Sequence, residues 1–114
     1  MEPKDAKLPE DLRGRVLQAA EFVTCQPGAV VSRTLIQKPT GTVTLFAFDR
    51  GQGLSEHTAP FDALVLALAG EAQISLSGVP HRVKAGDMIV MPAGQPHALR
   101  ALEPFKMALV MIRS

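Results

Sequence analysis

An all-β single domain is what this sequence predicts, on three observations. From Ala29 onward, β-branched and alternating apolar runs of about five to eight residues replace any helical period. Clusters of glycine, proline and short polar residues cut those runs at close intervals. No repeat, linker or low-complexity stretch marks a second domain. Strands of that length and spacing imply an all-β sandwich or barrel.

The elements follow in order. Residues 1–12 mix charges with Pro3 and Pro9 and show no sustained period, which suits an N-terminal arm ahead of a domain spanning 13–114. Val16, Leu17, Ala20 and Val23 recur at roughly helical spacing, predicting one short helix near residues 16–23 that Gly14 weakens. Turn signals then fall at Lys38-Pro39-Thr40-Gly41, Asp49-Arg50-Gly51-Gln52-Gly53, Ala59-Pro60, Ser77-Gly78-Val79-Pro80, Lys84-Ala85-Gly86-Asp87 and Pro92-Ala93-Gly94. Parity between His57 and Leu68 puts Ala59, Ala63, Val65 and Ala67 on the face of His57, and Leu64, Leu66 and Leu68 on the other. Ala72, Ile74 and Leu76 alternate with Gln73, Ser75 and Ser77, a half-solvated wall. The last strand is apolar on both faces, with Phe105, Met107, Leu109 and Met111 on one and Ala108, Val110 and Ile112 on the other. An apolar outer face of this kind needs cover, and a homodimer joined through it is expected.

Composition excludes several function classes. A length of 114 residues with 46% hydrophobic content buries one core without disulfides or structural metal. A net charge of +1 leaves no basic excess to hold a phosphate backbone, so nucleic acid is not expected as a partner. With no Trp or Tyr, stacking on bases or sugars would fall to five phenylalanines. No apolar run reaches the roughly eighteen residues of a membrane span, the longest candidate being Ala63 to Ala69. The first twenty residues carry Asp5, Glu10 and Asp11 and lack a signal-peptide core, so a cytoplasmic protein with no membrane partner is expected. Cys25 has no partner for a disulfide and no cation near it in sequence, which favours an inert thiol. No serine sits in a Gly-x-Ser-x-Gly elbow, so a serine hydrolase is not indicated.

Two histidines stand in frames of glycines and prolines. Gly51, His57 and Gly70 form the first frame, and Gly86, Pro92, Gly94 and His97 the second, with Glu71 to Ala85 between them. The glycines stand where strands reverse and positive φ is cheapest, while Pro92 and Pro96 restrict the chain leading into His97. In these two frames, spanning Gly51 to Ala101, the chain resembles the cupin family, and most of all a group of small, uncharacterised bacterial single-domain cupins. Together with the turn spacing, the resemblance implies a jelly-roll-like cupin barrel, a double-stranded β-helix, of about ten or eleven strands between residues 27 and 113. Its departures are specific: Ala59 and Ala63 stand where the family has a second histidine and a glutamate, and Ala101 stands in the place of an asparagine. Two of the usual metal ligands are therefore missing.

His57 and His97 remain as the metal candidates, for iron, manganese, nickel or zinc, with water or substrate completing the shell. Asp62 is the nearest carboxylate to the vacant glutamate place; parity turns it outward, and a bulge after Pro60 would bring it back as a replacement ligand. His57, Ala59, Ala63, His97 and Met107 are expected to line a ligand pocket. Met88, Met91, Met107 and Met111 are candidates for a cavity wall as well as ordinary core filler. His81, beside Arg82 and a hairpin turn, is expected on the exposed surface. Two active readings follow. One is a small-molecule-binding or sensory barrel with a weakly held metal near the two histidines, its cavity widened by the alanines. The other is a metal-dependent enzyme of the oxygenase or isomerase class. An inert remnant stabilised as a dimer would bind neither metal nor ligand. Fold alone does not choose among them.

Overall fold

Alternation along the strands decides the architecture. In the computed structural model, which describes residues 6–113, nine strands follow one another: β1 (Val30–Lys38), β2 (Gly41–Phe48), β3 (Gly53–His57), β4 (Asp62–Ala69), β5 (Glu71–Leu76), β6 (Val79–Lys84), β7 (Met88–Met91), β8 (His97–Ala101) and β9 (Phe105–Ile112). They form a five-stranded sheet, β1-β2-β9-β4-β7, and a four-stranded sheet, β3-β8-β5-β6. Every ladder is antiparallel. Burying one face of each sheet fixes register, because a slip of one residue would turn a whole strand inside out. On β4, Ala63, Val65 and Ala67 are buried while Leu64, Leu66 and Leu68 point the other way, as parity requires. The main core joins Phe48, Val65, Phe105 and Met107 of the larger sheet to Ile74, Leu99 and Ala101 of the smaller.

The strand count is nine among the described residues, not ten or eleven. Register shifts at Thr34/Ile36 in β1, Leu54/His57 in β3 and Ala67/Ala69 in β4 bend strands without ending them. A bulge turns a barrel corner at the cost of one unpaired residue, so a sequence irregularity there does not divide the strand. Between β5 and β6 the two-residue loop Ser77-Gly78 has positive φ at both positions, 49° and 80°, the backbone of a tight hairpin.

The helix expected near residues 16–23 is instead a four-residue 3-10 turn, Ala19–Phe22. Gln18 at its N-terminus makes no capping bond, and Val16 is 99% exposed, so no apolar face supports the first turn. A nucleus that short does not propagate without packing. Its last residues do pack: Phe22 and Val23 are buried with Leu45, Ala47, Leu68 and Ala108 on the outer face of the larger sheet. Two cations lock the segment there. Lys106 Nζ donates to the Ala20 carbonyl at 2.7 Å, and Arg33 Nη1 donates to the carbonyls of Ala6 at 2.6 Å and Phe22 at 3.3 Å. Part of the apolar outer face expected to need a partner is thus covered by the chain itself. Leu66, Met88, Val90 and Ile112 remain exposed, at 38%, 69%, 56% and 63%.

Cys25 belongs to the same outer cluster, its Sγ 3.9 Å from the Phe105 carbonyl oxygen. Burial pushes its thiol up from the ordinary value, and the neighbouring Lys106 charge offsets only part of that rise. A cation absent from the sequence neighbourhood is therefore supplied by the fold, yet desolvation outweighs it and favours the protonated thiol. No helix among the described residues is long and apolar enough to cross a membrane.

Two glycines separate turn conformation from close packing. Gly70 and Gly86 both have positive φ, 77° and 94°. A Cβ on Gly86 would meet open space, whereas one on Gly70 would run into the Pro104 carbonyl. Gly86→Ala is expected to lose about 1–2 kcal/mol of unfolding free energy from the left-handed backbone alone. Gly70→Ala adds about 1–3 kcal/mol of overpacking to that loss. Denaturant unfolding of both variants measures the difference, and equal losses would show that Pro104 yields freely.

Candidate functional site

β3 and β8 are neighbours in the smaller sheet, and their register places His57 opposite His97. The loop ahead of His97 is tied down on three sides. The Asp62 carboxylate accepts the Ala93 N–H at 2.8 Å, the Gly94 N–H donates to the Ala59 carbonyl at 2.9 Å, and the Pro96 carbonyl accepts the Ser77 N–H at 2.8 Å. Asp62, weighed from sequence as a replacement ligand, is exposed and acts instead on the turn that aims His97. His97 is buried at 7% exposure and His57 is exposed, so one imidazole forms the floor of the site and the other its mouth.

The two rings meet edge to face, with centroids 4.3 Å apart and planes at 69°. Their Nε2 atoms are 3.1 Å apart. His57 Nδ1 lies 2.7 Å from the Ser55 carbonyl oxygen, and His97 Nδ1 lies 3.1 Å from that of Gln95. A carbonyl only accepts, so each Nδ1 is assigned the proton, and each neutral imidazole then carries its lone pair on Nε2. Two lone pairs face each other across 3.1 Å. A proton or a metal ion between the nitrogens relieves the repulsion of such a pair. Nitrogens bound cis to one ion at about 2.0 to 2.1 Å lie about 3 Å apart, so the spacing fits a shared metal. The carbonyls of Ser55 and Gln95 are the outer partners that orient ligating imidazoles elsewhere.

Around this pair lies a cavity of about 50 Å³. Its side-chain donors are the two imidazoles and the thioethers of Met91, Met107 and Met111. The remaining wall is aliphatic, with Ala59, Ala63, Leu54 and Leu99 among it. His57, Ala59, Ala63, His97 and Met107, chosen from sequence, therefore surround one space. From sequence, Met91 and Met111 are candidates for cavity wall and core filler alike, and the signal that separates the two roles is cross-strand register. Both pair with Ala63, Met91 from β7 and Met111 from β9. Met88 goes the other way, exposed on the outer face. His81 is exposed on β6 and takes no part. Among the described residues, no three of His, Cys, Asp and Glu cluster as a metal site, so nothing replaces the carboxylate absent at Ala63.

The comparisons agree with this geometry. Residues 44–113 match the family described as Cupin domain. A conserved protein of unknown function from Streptococcus pyogenes superposes with a TM-score of 0.87 at 38% identity, over 96% of each chain. The Cupin 2 conserved barrel domain protein from Leptotrichia buccalis gives 0.80 at 42% identity, covering 82% of this chain and 46% of that one. Among curated proteins, the dimethylsulfoniopropionate lyase DddQ of Ruegeria pomeroyi is 40% identical over 58 residues, 50% of this chain. The matched stretch spans only 29% of the lyase. With two facing antiparallel sheets, a histidine from each sequence frame at their open end, and a family match running over residues 44–113, this chain belongs to the cupin family.

Proposed function

We propose that this chain is a small-molecule-binding barrel in which the Nε2 atoms of His57 and His97 hold one transition-metal ion, and water or ligand completes its shell. The observation that carries the reading is the commitment of both Nδ1 atoms to backbone carbonyls, which leaves two convergent lone pairs 3.1 Å apart. Such an ion, when bound, supplies a Lewis acid that polarises a ligand oxygen. The chain's own groups do the rest. His97 fixes the inner end of the site, and His57 at the mouth meets whatever enters. The aliphatic wall excludes bulk water. At about 10–15 Å³ for each water-sized group, the cavity of about 50 Å³ takes the end of a small molecule and not its whole body.

Protein prepared without a chelating tag is expected to carry less than one equivalent of metal, because two imidazoles leave more open positions than protein ligands. His97→Ala is expected to abolish that content. Ala59→His with Ala63→Glu is expected to raise affinity at least about tenfold, at about 1–3 kcal/mol of overpacking. Elemental analysis and metal titration read these outcomes. Metal content indifferent to His97→Ala overturns the site.

A second reading, a metal-dependent enzyme of the oxygenase, isomerase or lyase class, draws its support from the similarity to the dimethylsulfoniopropionate lyase. Incubating metal-loaded protein with dimethylsulfoniopropionate tests the lyase form. Substrate loss that disappears in His97→Ala supports it, and no loss above the metal-only control rejects that substrate.

We also propose that a second copy of the chain covers the open part of the outer face. Val90, Leu64, Val110 and Val43 pair in one row across β7, β4, β9 and β2, so the aliphatic row is continuous. An aliphatic row of this kind can meet its own copy across a two-fold axis, and the chain's own N-terminal segment already covers the other half of the face. Full burial of a large aliphatic side chain stabilises by about 1.5–3 kcal/mol, so several half-exposed ones together exceed typical association costs only as a set. Light scattering at micromolar concentration is expected to report twice the chain mass, falling to the chain mass in Leu66→Glu. A wild-type monomer sinks the proposal.

A further inference from the structure

The donor atoms of the cavity are unusual in kind. Two histidines and three methionines line it, and no residue with a side-chain oxygen does. Manganese and iron favour carboxylates, while thioethers select soft ions. Charge points the same way. No anionic side chain lines the space, and the cost of desolvating an ion grows with the square of its charge, so a monovalent ion is held there more cheaply than a divalent one.

Register places two of the methionines beside the position where a ligand is missing. Ala63 is flanked across the sheet by Met91 on one side and Met111 on the other. Directly opposed Cβ atoms in an antiparallel ladder are about 4.5–5.5 Å apart, well within the reach of a methionine side chain over an alanine. Met91 is 7% and Met107 1% exposed, so their sulfurs are shielded from water, and neither makes a hydrogen bond that a metal would have to break. Methionine's unbranched, adaptable side chain lets such a sulfur turn toward an ion without moving the backbone.

From this donor set we infer that the site is built for copper(I), held by His57 and His97 Nε2 together with at least one of the Met91, Met107 and Met111 sulfurs. The inference rests on the two-histidine metal site proposed above and adds the sulfur ligands and the ion they select. It is a binding site for a soft monovalent ion and involves no change of oxidation state.

The test uses the whole chain, titrated anaerobically with copper(I) against a chromophoric copper(I) chelator and in parallel with zinc(II). Single Met91→Leu, Met107→Leu and Met111→Leu variants and the triple variant accompany the wild type. Leucine conserves volume at an expected loss below about 1.5 kcal/mol, and circular dichroism confirms folding. The expected result is one equivalent of copper(I), with sulfur and nitrogen scatterers in its X-ray absorption spectrum. Copper(I) affinity should fall at least tenfold in one or more methionine variants while zinc(II) affinity stays the same. If both ions bind the wild type and every methionine variant equally, the sulfurs are core filler and the inference fails while the two-histidine site stands. If neither ion binds the wild type, the two-histidine site itself fails. Should the triple variant not fold, the single variants decide.

Discussion

Strand parity, pinned by burial of one face of each sheet, is the constraint on which the rest of this molecule depends. Ala63, Val65 and Ala67 can lie inside only if Leu64, Leu66 and Leu68 lie outside. The same parity on β9 sends Met107, Leu109 and Met111 inward and Ala108 and Val110 outward. Because β4 and β9 pair along nearly their whole length, the two strands hold each other in register. Bulges absorb the corners, so the barrel bends without losing the alternation.

That constraint yields a site of few polar groups but directed ones. His57 and His97 come from paired strands, and backbone carbonyls two residues before each ring turn both Nε2 atoms to the same point. No charged side chain is needed to orient them. The exposed Asp62 contributes from a distance, by holding the turn through which the chain enters β8. Alanines at positions 59 and 63 remove ligands and open space, and the neighbouring strands fill the margin with thioethers.

The outer face of the larger sheet obeys the same accounting. Half of it is closed by Phe22 and Val23, with Lys106 and Arg33 satisfying carbonyls of a segment too short to be a stable helix. Those cations stand where the sheet's outer face meets the segment, so apolar cover and polar satisfaction are delivered together. The other half keeps its aliphatic side chains in view. The division explains why a sequence apolar on both faces of β9 is compatible with only one face being fully buried within the chain.

The meeting of His57 with His97 is expected from the resemblance of the two sequence frames to the cupin family. By itself the sequence determined the all-β class, the positions of most turns, and the inward and outward faces of β4 and β9. These follow from local rules: period-two alternation and glycine at positive φ. Tertiary structure alone decided which irregularities are bulges and which are strand ends, since a bulge is defined by its partner strand. It also decided that Asp62 braces a turn, that Lys106 lies beside Cys25, and that Met91 and Met111 flank Ala63 while Met88 faces out. The physical reason is common to all of these. Each depends on contacts between residues distant in the chain, and their closeness is set by register across strands that no local pattern specifies.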